Sequence, residues 1–78
     1  MTITVLYFAS FQEAAGMDSE TMETPVSLSA LYENLKRKYE FKFQLAHIRV
    51  AVDGVFVSWQ HEVNDGSEVA FIPPVSGG

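Results

Sequence analysis

Cysteine is absent from the 78 residues, and its absence removes several kinds of chemistry at once. No disulfide can staple the chain, no thiolate can bind a soft metal, and no side chain can hold a persulfide. Any sulfur chemistry needs another point of attachment. Positive charge is also scarce: five Lys and Arg stand against ten Asp and Glu, a formal charge of −5. Such a chain is repelled by phosphate backbones and by anionic lipid, so neither nucleic acid nor a membrane is an expected partner. No apolar run approaches the ~18 residues of a membrane span, and no charged segment precedes an apolar stretch at the N-terminus. The expected location is the cytoplasm. Length sets a further limit, because a chain this short folds as one domain but buries only ~60% of its unfolded surface. A large core, a deep pocket and a catalytic apparatus do not fit together in that size, so a stand-alone enzyme is not expected.

Charged residues make up 19% of the chain, while apolar types reach 47% and aromatics 13%. An average domain carries about 25% charged residues, so apolar surface is expected to remain exposed for a protein partner. Thr2-Ile3-Thr4-Val5-Leu6-Tyr7-Phe8 is rich in β-branched and aromatic residues and reads as an interior strand. Ser10-Phe11-Gln12-Glu13 has the spacing of a capping box, and Gly16 is placed to end that short helix. A polar, acidic stretch from Met17 to Glu23 fits a loop leading into a short exposed strand. Pro25 breaks it, and Ser27 is an N-cap for a helix whose apolar stripe is Leu28, Leu31, Tyr32, Leu35 and Tyr39, with Val26 placed to staple against Leu31. Glu33 stands four residues before Arg37, and Lys36, Arg37 and Lys38 complement the helix dipole at its C-terminal end. A role for this basic run in partner binding stays open beside the helix-end reading.

After a connection from Phe41 to Ala46, Ile48 to Val52 reads as a strand. Asp53-Gly54 is a two-residue hairpin signal leading to Val55-Phe56-Val57. Asn64-Asp65-Gly66 is another turn, and Glu68 to Ile72 is the last strand, ended by Pro73 and Pro74. The economical architecture is α+β, with one main helix packed on one face of a mixed sheet.

The internal side chains offer little chemistry. His47 and His61 stand at no metal-ligand spacing, so no metal site is expected, and a general-acid role stays open beside an ordinary surface position. There is no nucleophile elbow, dinucleotide fingerprint or phosphate loop. What remains is the end, Pro73-Pro74-Val75-Ser76-Gly77-Gly78. The prolines favour an extended exit, Ser76 and Gly77 make a thin segment that can thread a channel, and Gly78 presents an unhindered carboxylate. A separate ATP-using enzyme could activate that carboxylate as an acyl-adenylate, making the tail a substrate and the domain its handle. An ordinary terminus is the alternative.

Phe71-Ile72-Pro73-Pro74-Val75-Ser76-Gly77-Gly78, with Asp65-Gly66-Ser67-Glu68-Val69-Ala70 before it, resembles the end of the small subunit of molybdopterin synthase, the MoaD family. Val5-Leu6-Tyr7-Phe8-Ala9, the Leu28-to-Leu35 stripe and Val50-Ala51-Val52-Asp53-Gly54 extend the resemblance over nearly the whole chain. It implies a β-grasp (ubiquitin-like) domain over residues 1–72 and an extended Gly-Gly tail over 73–78. It also implies a sulfur carrier that binds no cofactor of its own. An adenylating enzyme similar to ubiquitin activators would use ATP to join AMP to Gly78, and a sulfur donor would convert the end to a thiocarboxylate. A MoaE-like large subunit would take up the tail, and the sulfur would attack cyclic pyranopterin monophosphate to build molybdopterin. Catalytic groups would belong to the large subunit, in a heterotetramer of two small and two large chains. Related carriers or modifiers, serving thiamine synthesis, tRNA thiolation or lysine conjugation, share Gly77-Gly78, and a β-grasp interaction module without covalent role is the third reading. Two departures bear on partner contacts: Ser10-Phe11-Gln12-Glu13 replaces the basic first helix common in the family, and Gly66-Ser67-Glu68 replaces Gly-Asp-Glu. Phe71, Pro73, Pro74 and Val75 are the candidate partner contacts, with Phe71 equally open to a core position.

Overall fold

Alternation along the first strand sets the architecture. In the computed structural model, which describes residues 1–23 and 27–74, β1 (Thr2–Tyr7) turns Ile3, Val5 and Tyr7 inward. Thr4 and Leu6 are half-buried on the opposite face. The expectations for Val26 and for Val75, Ser76, Gly77 and Gly78 lie outside the described residues.

Four further strands complete a mixed sheet: β2 (Ser19–Glu23), β3 (Arg49–Val52), β4 (Val55–Val57) and β5 (Glu68–Ile72), in the order β2-β1-β5-β3-β4. β1 and β5 run parallel at its centre, in register from Thr4↔Glu68 to Tyr7↔Phe71. The other pairings are antiparallel. The strong β-propensity of β1 and β5 suits their interior places. The polar β2 is an edge strand, where charged side chains discourage pairing with other chains.

Among the described residues one face of the sheet is covered by helix. Helix α2 (Leu28–Tyr39) lays Leu28, Leu31, Tyr32 and Leu35 over Ile3, Val5, Val50, Val52, Val69 and Phe71, all of them buried. Ser27 caps the helix as its sequence position implies, its Oγ accepting from the Ala30 amide at 3.1 Å. Aromatic rings fill the space beneath: Phe71 lies parallel to Trp59 with centroids 6.0 Å apart, and meets Tyr32 edge-on at 5.3 Å. The Tyr32 hydroxyl donates to the Phe43 carbonyl at 2.6 Å, which ties the 41–46 connection to the helix. That connection is less irregular than its sequence implies, because Phe41 is a core residue and a 3₁₀ turn spans Leu45–His47.

The turns follow their residues. Asp53 and Gly54 both take positive φ, 51° and 84°, as a hairpin matched to strand twist requires. Asp53 does more than turn: its Oδ1 accepts from the Glu68 amide at 2.9 Å, and its own amide donates to the Glu68 carbonyl at 2.8 Å. The Asp65 carboxylate likewise accepts from the Thr2 amide at 2.7 Å, holding the start of β1.

Two local expectations are overturned. Helix α1 (Ser10–Ala15) has no capping box: its N-cap is Ala9, with no side-chain cap, and the Glu13 amide donates to the Ala9 carbonyl at 3.1 Å. The chain enters α1 through a turn at Ala9, with φ 51°, which carries Ser10 into the first turn and beyond the capping position. On α2, Arg37 does not pair with Glu33. Its Nη2 donates to Asn34 Oδ1 at 2.6 Å, since residues three apart are neighbours on a helix as well as those four apart.

The two faces of the sheet give a stability test. Phe71→Ala should cost about 3–5 kcal/mol, a large share of the ~5–15 kcal/mol that holds a domain together, and move the midpoint of a urea titration far down. Phe56→Ala, on the open face, should cost no more than about 1 kcal/mol.

Candidate functional site

The site is the end of β5 and the sheet surface around it. Ile72 is half-buried, Pro73 half-buried and Pro74 exposed, so the tail leaves the domain from the middle of the sheet, between β1 and β3. Neither proline can donate to a ladder, which is why the pairing stops there. Phe71 is not on this surface. It is fully buried, at 0% exposure, because the period of two that turns Val69 inward turns Phe71 inward as well. Of the two positions open to it, the core is the one it occupies, and its side chain is not available for docking. Pro73 and Pro74 remain accessible at the root of the tail.

The uncovered face supplies what Phe71 does not. Leu6 pairs with Ala70, Ala70 with Ala51, and Ala51 with Phe56, giving an apolar row across four strands. Beside it, nearer the tail, Ile72 pairs with Arg49. The alternation of β1 carries Phe8 to the Leu6 side. Phe8 and Phe56 are 45% and 52% exposed, and Val55 at the sheet edge 63%. The sequence contained this signal: counting from the Asp53-Gly54 turn puts Phe56 on the opposite face from Val55 and Val57.

Under the tail root, on the helix side, a polar cluster ties the edge of the sheet to α2. Glu20 accepts from the hydroxyls of Tyr7 and Tyr39, each at 2.8 Å, and lies 3.6 Å from the Lys38 ammonium. Burial pushes the Glu20 carboxyl up, but the two tyrosine hydrogen bonds and Lys38 outweigh it and hold the group below its ordinary value. Burial, reinforced by the hydrogen bond to that carboxylate, pushes the Tyr7 and Tyr39 hydroxyls up. Tyr32 is pushed up to about 12, by burial first and by Glu33 second. These groups are structural, since each is satisfied by a neighbour and none faces the tail surface. His47 and His61 are both exposed, and no serine hydroxyl bonds to either among the described residues. The basic run sits at the C-terminal end of α2, with Lys38 and Arg37 already engaged.

Residues 5–78 match the ThiS family. The chain belongs to that family. It is 32% identical over 80 residues to the molybdopterin synthase sulfur carrier subunit of Escherichia coli (strain K12), covering 97% of this chain and 99% of that relative. A solved structure of a putative molybdopterin converting factor subunit 1 from Pyrococcus furiosus superposes with a TM-score of 0.81 at 36% identity, covering 96% of this chain and 99% of that one. The small chain in a complex of subunits 1 and 2 of the molybdopterin-converting factor from Helicobacter pylori shares the fold, with a TM-score of 0.71 at 22% identity and full coverage of both chains. The β-grasp architecture expected from the sequence is therefore the observed one.

The polar cluster has a pH signature. Glu20 has a lowered value in the fold, so its contribution is fully present above the ordinary carboxyl value of 4.5 and is lost as pH falls through the folded value. Tyr7 and Tyr39 have raised values, so the unfolded chain releases their protons first and stability falls as pH rises past the ordinary 10.0. Urea midpoints measured against pH should fall on both sides, and Glu20→Gln should flatten the acid side.

Proposed function

We propose that this chain is the sulfur carrier of a molybdopterin synthase, and that Gly78 is the atom-transferring residue. The observation that carries the reading is the full-length relation to sulfur carrier subunits, joined to a Pro-Pro-Val-Ser-Gly-Gly tail leaving the centre of a β-grasp sheet. Four residues follow Pro74, a reach of at most about 14 Å when extended. That is enough to enter a narrow active site while the domain stays outside it.

The chemistry runs through the terminal carboxylate. One of its oxygens attacks the α-phosphorus of ATP on an adenylating enzyme similar to ubiquitin activators, and pyrophosphate leaves. A sulfide equivalent then adds to the acyl carbon and displaces AMP, forming the C–S bond of a thiocarboxylate. In the large subunit the thiocarboxylate sulfur attacks a side-chain carbon of cyclic pyranopterin monophosphate and displaces the oxygen there, and water then cleaves the acyl–sulfur bond, leaving the sulfur on the pterin and returning the glycyl end to a carboxylate. Two rounds supply the two sulfurs of the dithiolene. Each partner recognises the domain, and the absence of cysteine leaves Gly78 as the one place for sulfur to be held. The apolar row through Leu6, Ala70, Ala51 and Phe56, with Phe8 and Ile72, is the docking surface, because it borders the tail root and is the uncovered face of the sheet. Exposed aromatic residues of this kind are enriched in the cores of protein interfaces.

Incubation with the adenylating enzyme, ATP and a sulfur source should add the oxygen-to-sulfur mass difference to the intact chain, localised to Gly78. Deleting Gly78 should abolish this gain while folding and binding to the large subunit persist. A wild-type chain that stays unmodified with competent enzymes would exclude the reading. A thiocarboxylated chain that delivers sulfur to a thiazole precursor or to tRNA, and none to the pyranopterin, would move the chain to a related carrier pathway.

A further inference from the structure

Arg49 stands apart from the other cations. Lys36, Arg37, Lys38 and Lys42 lie in or just after α2, on the covered side of the sheet, whereas Arg49 begins β3 on the open face. Its guanidinium carbon lies 4.0 Å from the centre of the Phe56 ring, well within the range of a cation–π contact. The two ion pairs among the described residues join the N-terminus to Glu23 and Lys38 to Glu20, and neither uses Arg49. A planar, permanently charged donor fork is thus held by an aromatic ring and has no carboxylate partner among the described residues.

Its place in the register gives this arrangement direction. Arg49 is paired with Ile72, the residue before the tail prolines. The carboxylates of the open face lie at the other end of the sheet: Glu68 is opposite Thr4, and Glu23 is opposite Thr2. Glu68 and Ile72 are four residues apart on one strand, about 13 Å. The face therefore runs from a cation at the tail root, through an apolar middle, to acid at the far edge. A partner that covers it in the opposite sense would set the tail in line with its channel, and one turned about would place acid against acid.

We propose that Arg49 is the residue that orients the large synthase subunit on this face, by pairing with an aspartate or glutamate that the subunit presents beside the mouth of its tail channel. The inference rests on the reading that the large subunit takes up the tail. The large subunit is the occupant chosen over the activating enzyme because two exposed phenylalanines and an arginine with no carboxylate partner among the described residues suit a lasting, largely apolar interface more than a passing one. Stacking on Phe56 already restricts the guanidinium, so less freedom is lost when the carboxylate arrives.

Calorimetric titration of the full chain against the large subunit, at low and at high salt, tests the assignment. Arg49→Ala should weaken binding about tenfold and Arg49→Glu about a hundredfold or more at low salt. The variants should converge toward the wild type as salt rises, and Arg49→Lys should restore part of the affinity. Thermal unfolding of each variant should stay near that of the wild type, separating recognition from folding. Wild-type affinity in both Arg49→Ala and Arg49→Glu would overturn the proposal while leaving the sulfur-carrier reading in place. So would normal affinity for the large subunit combined with slowed adenylation, which would assign Arg49 to the activating enzyme. A wild-type chain with no affinity for the large subunit would overturn both readings together.

Discussion

The parallel pairing of β1 with β5 is the contact on which the rest depends. Its register, from Thr4↔Glu68 to Tyr7↔Phe71, puts the last strand in the middle of the sheet and aims its end away from the domain. Because side chains alternate, the same register decides which residues become core and which become surface. Val69 and Phe71 go under α2, while Ala70 and Ile72 go to the open face. A slip of one residue would exchange these sets, bury Glu68 and expose Phe71. Stability and presentation of the tail are therefore consequences of one pairing.

The two faces divide the work. The covered face is aromatic and closed, with Phe11, Tyr32, Phe41, Trp59 and Phe71 in contact, and its polar groups at Tyr7, Glu20 and Tyr39 are satisfied among themselves. The open face keeps small residues, Ala51 and Ala70, between Leu6 and Phe56, so that stretch is flat, and no helix packs on it among the described residues. Such a surface, beside the strand end that carries Pro73 and Pro74, is suited to contact with a protein partner.

Much of this was legible in the chain. The strands, the α2 stripe, the Asp53-Gly54 hairpin and the prolines that stop β5 all follow from short-range rules that read residue type and spacing. The failures share a cause, which is that long-range geometry outweighed local pattern. Ser10 has the spacing of a capping residue, but the path out of β1 places Ala9 at the cap. Glu40 ends α2 in the left-handed conformation at φ 58° without the glycine that would have marked it. Glu20 looked like one more loop acid, and only the pairing of β2 with β1 shows it meeting Tyr7 and Tyr39. Phe71 carried two readings because a strand sequence alone does not say which side of its sheet is covered. Phe56 and Arg49 were missed as surface residues for the same reason, although the hairpin turn fixed their parity.

Folding rests on the helix-covered face and the proposed docking on the open one, and mapping backbone amide shifts of the labelled chain on addition of the large synthase subunit reads that separation most directly. Perturbation concentrated at Leu6, Phe8, Arg49 to Phe56 and Ala70 to Pro74, with the exposed residues of α1 and α2 unmoved, is the predicted result. Perturbation centred on the helices, with the open face silent, would contradict it.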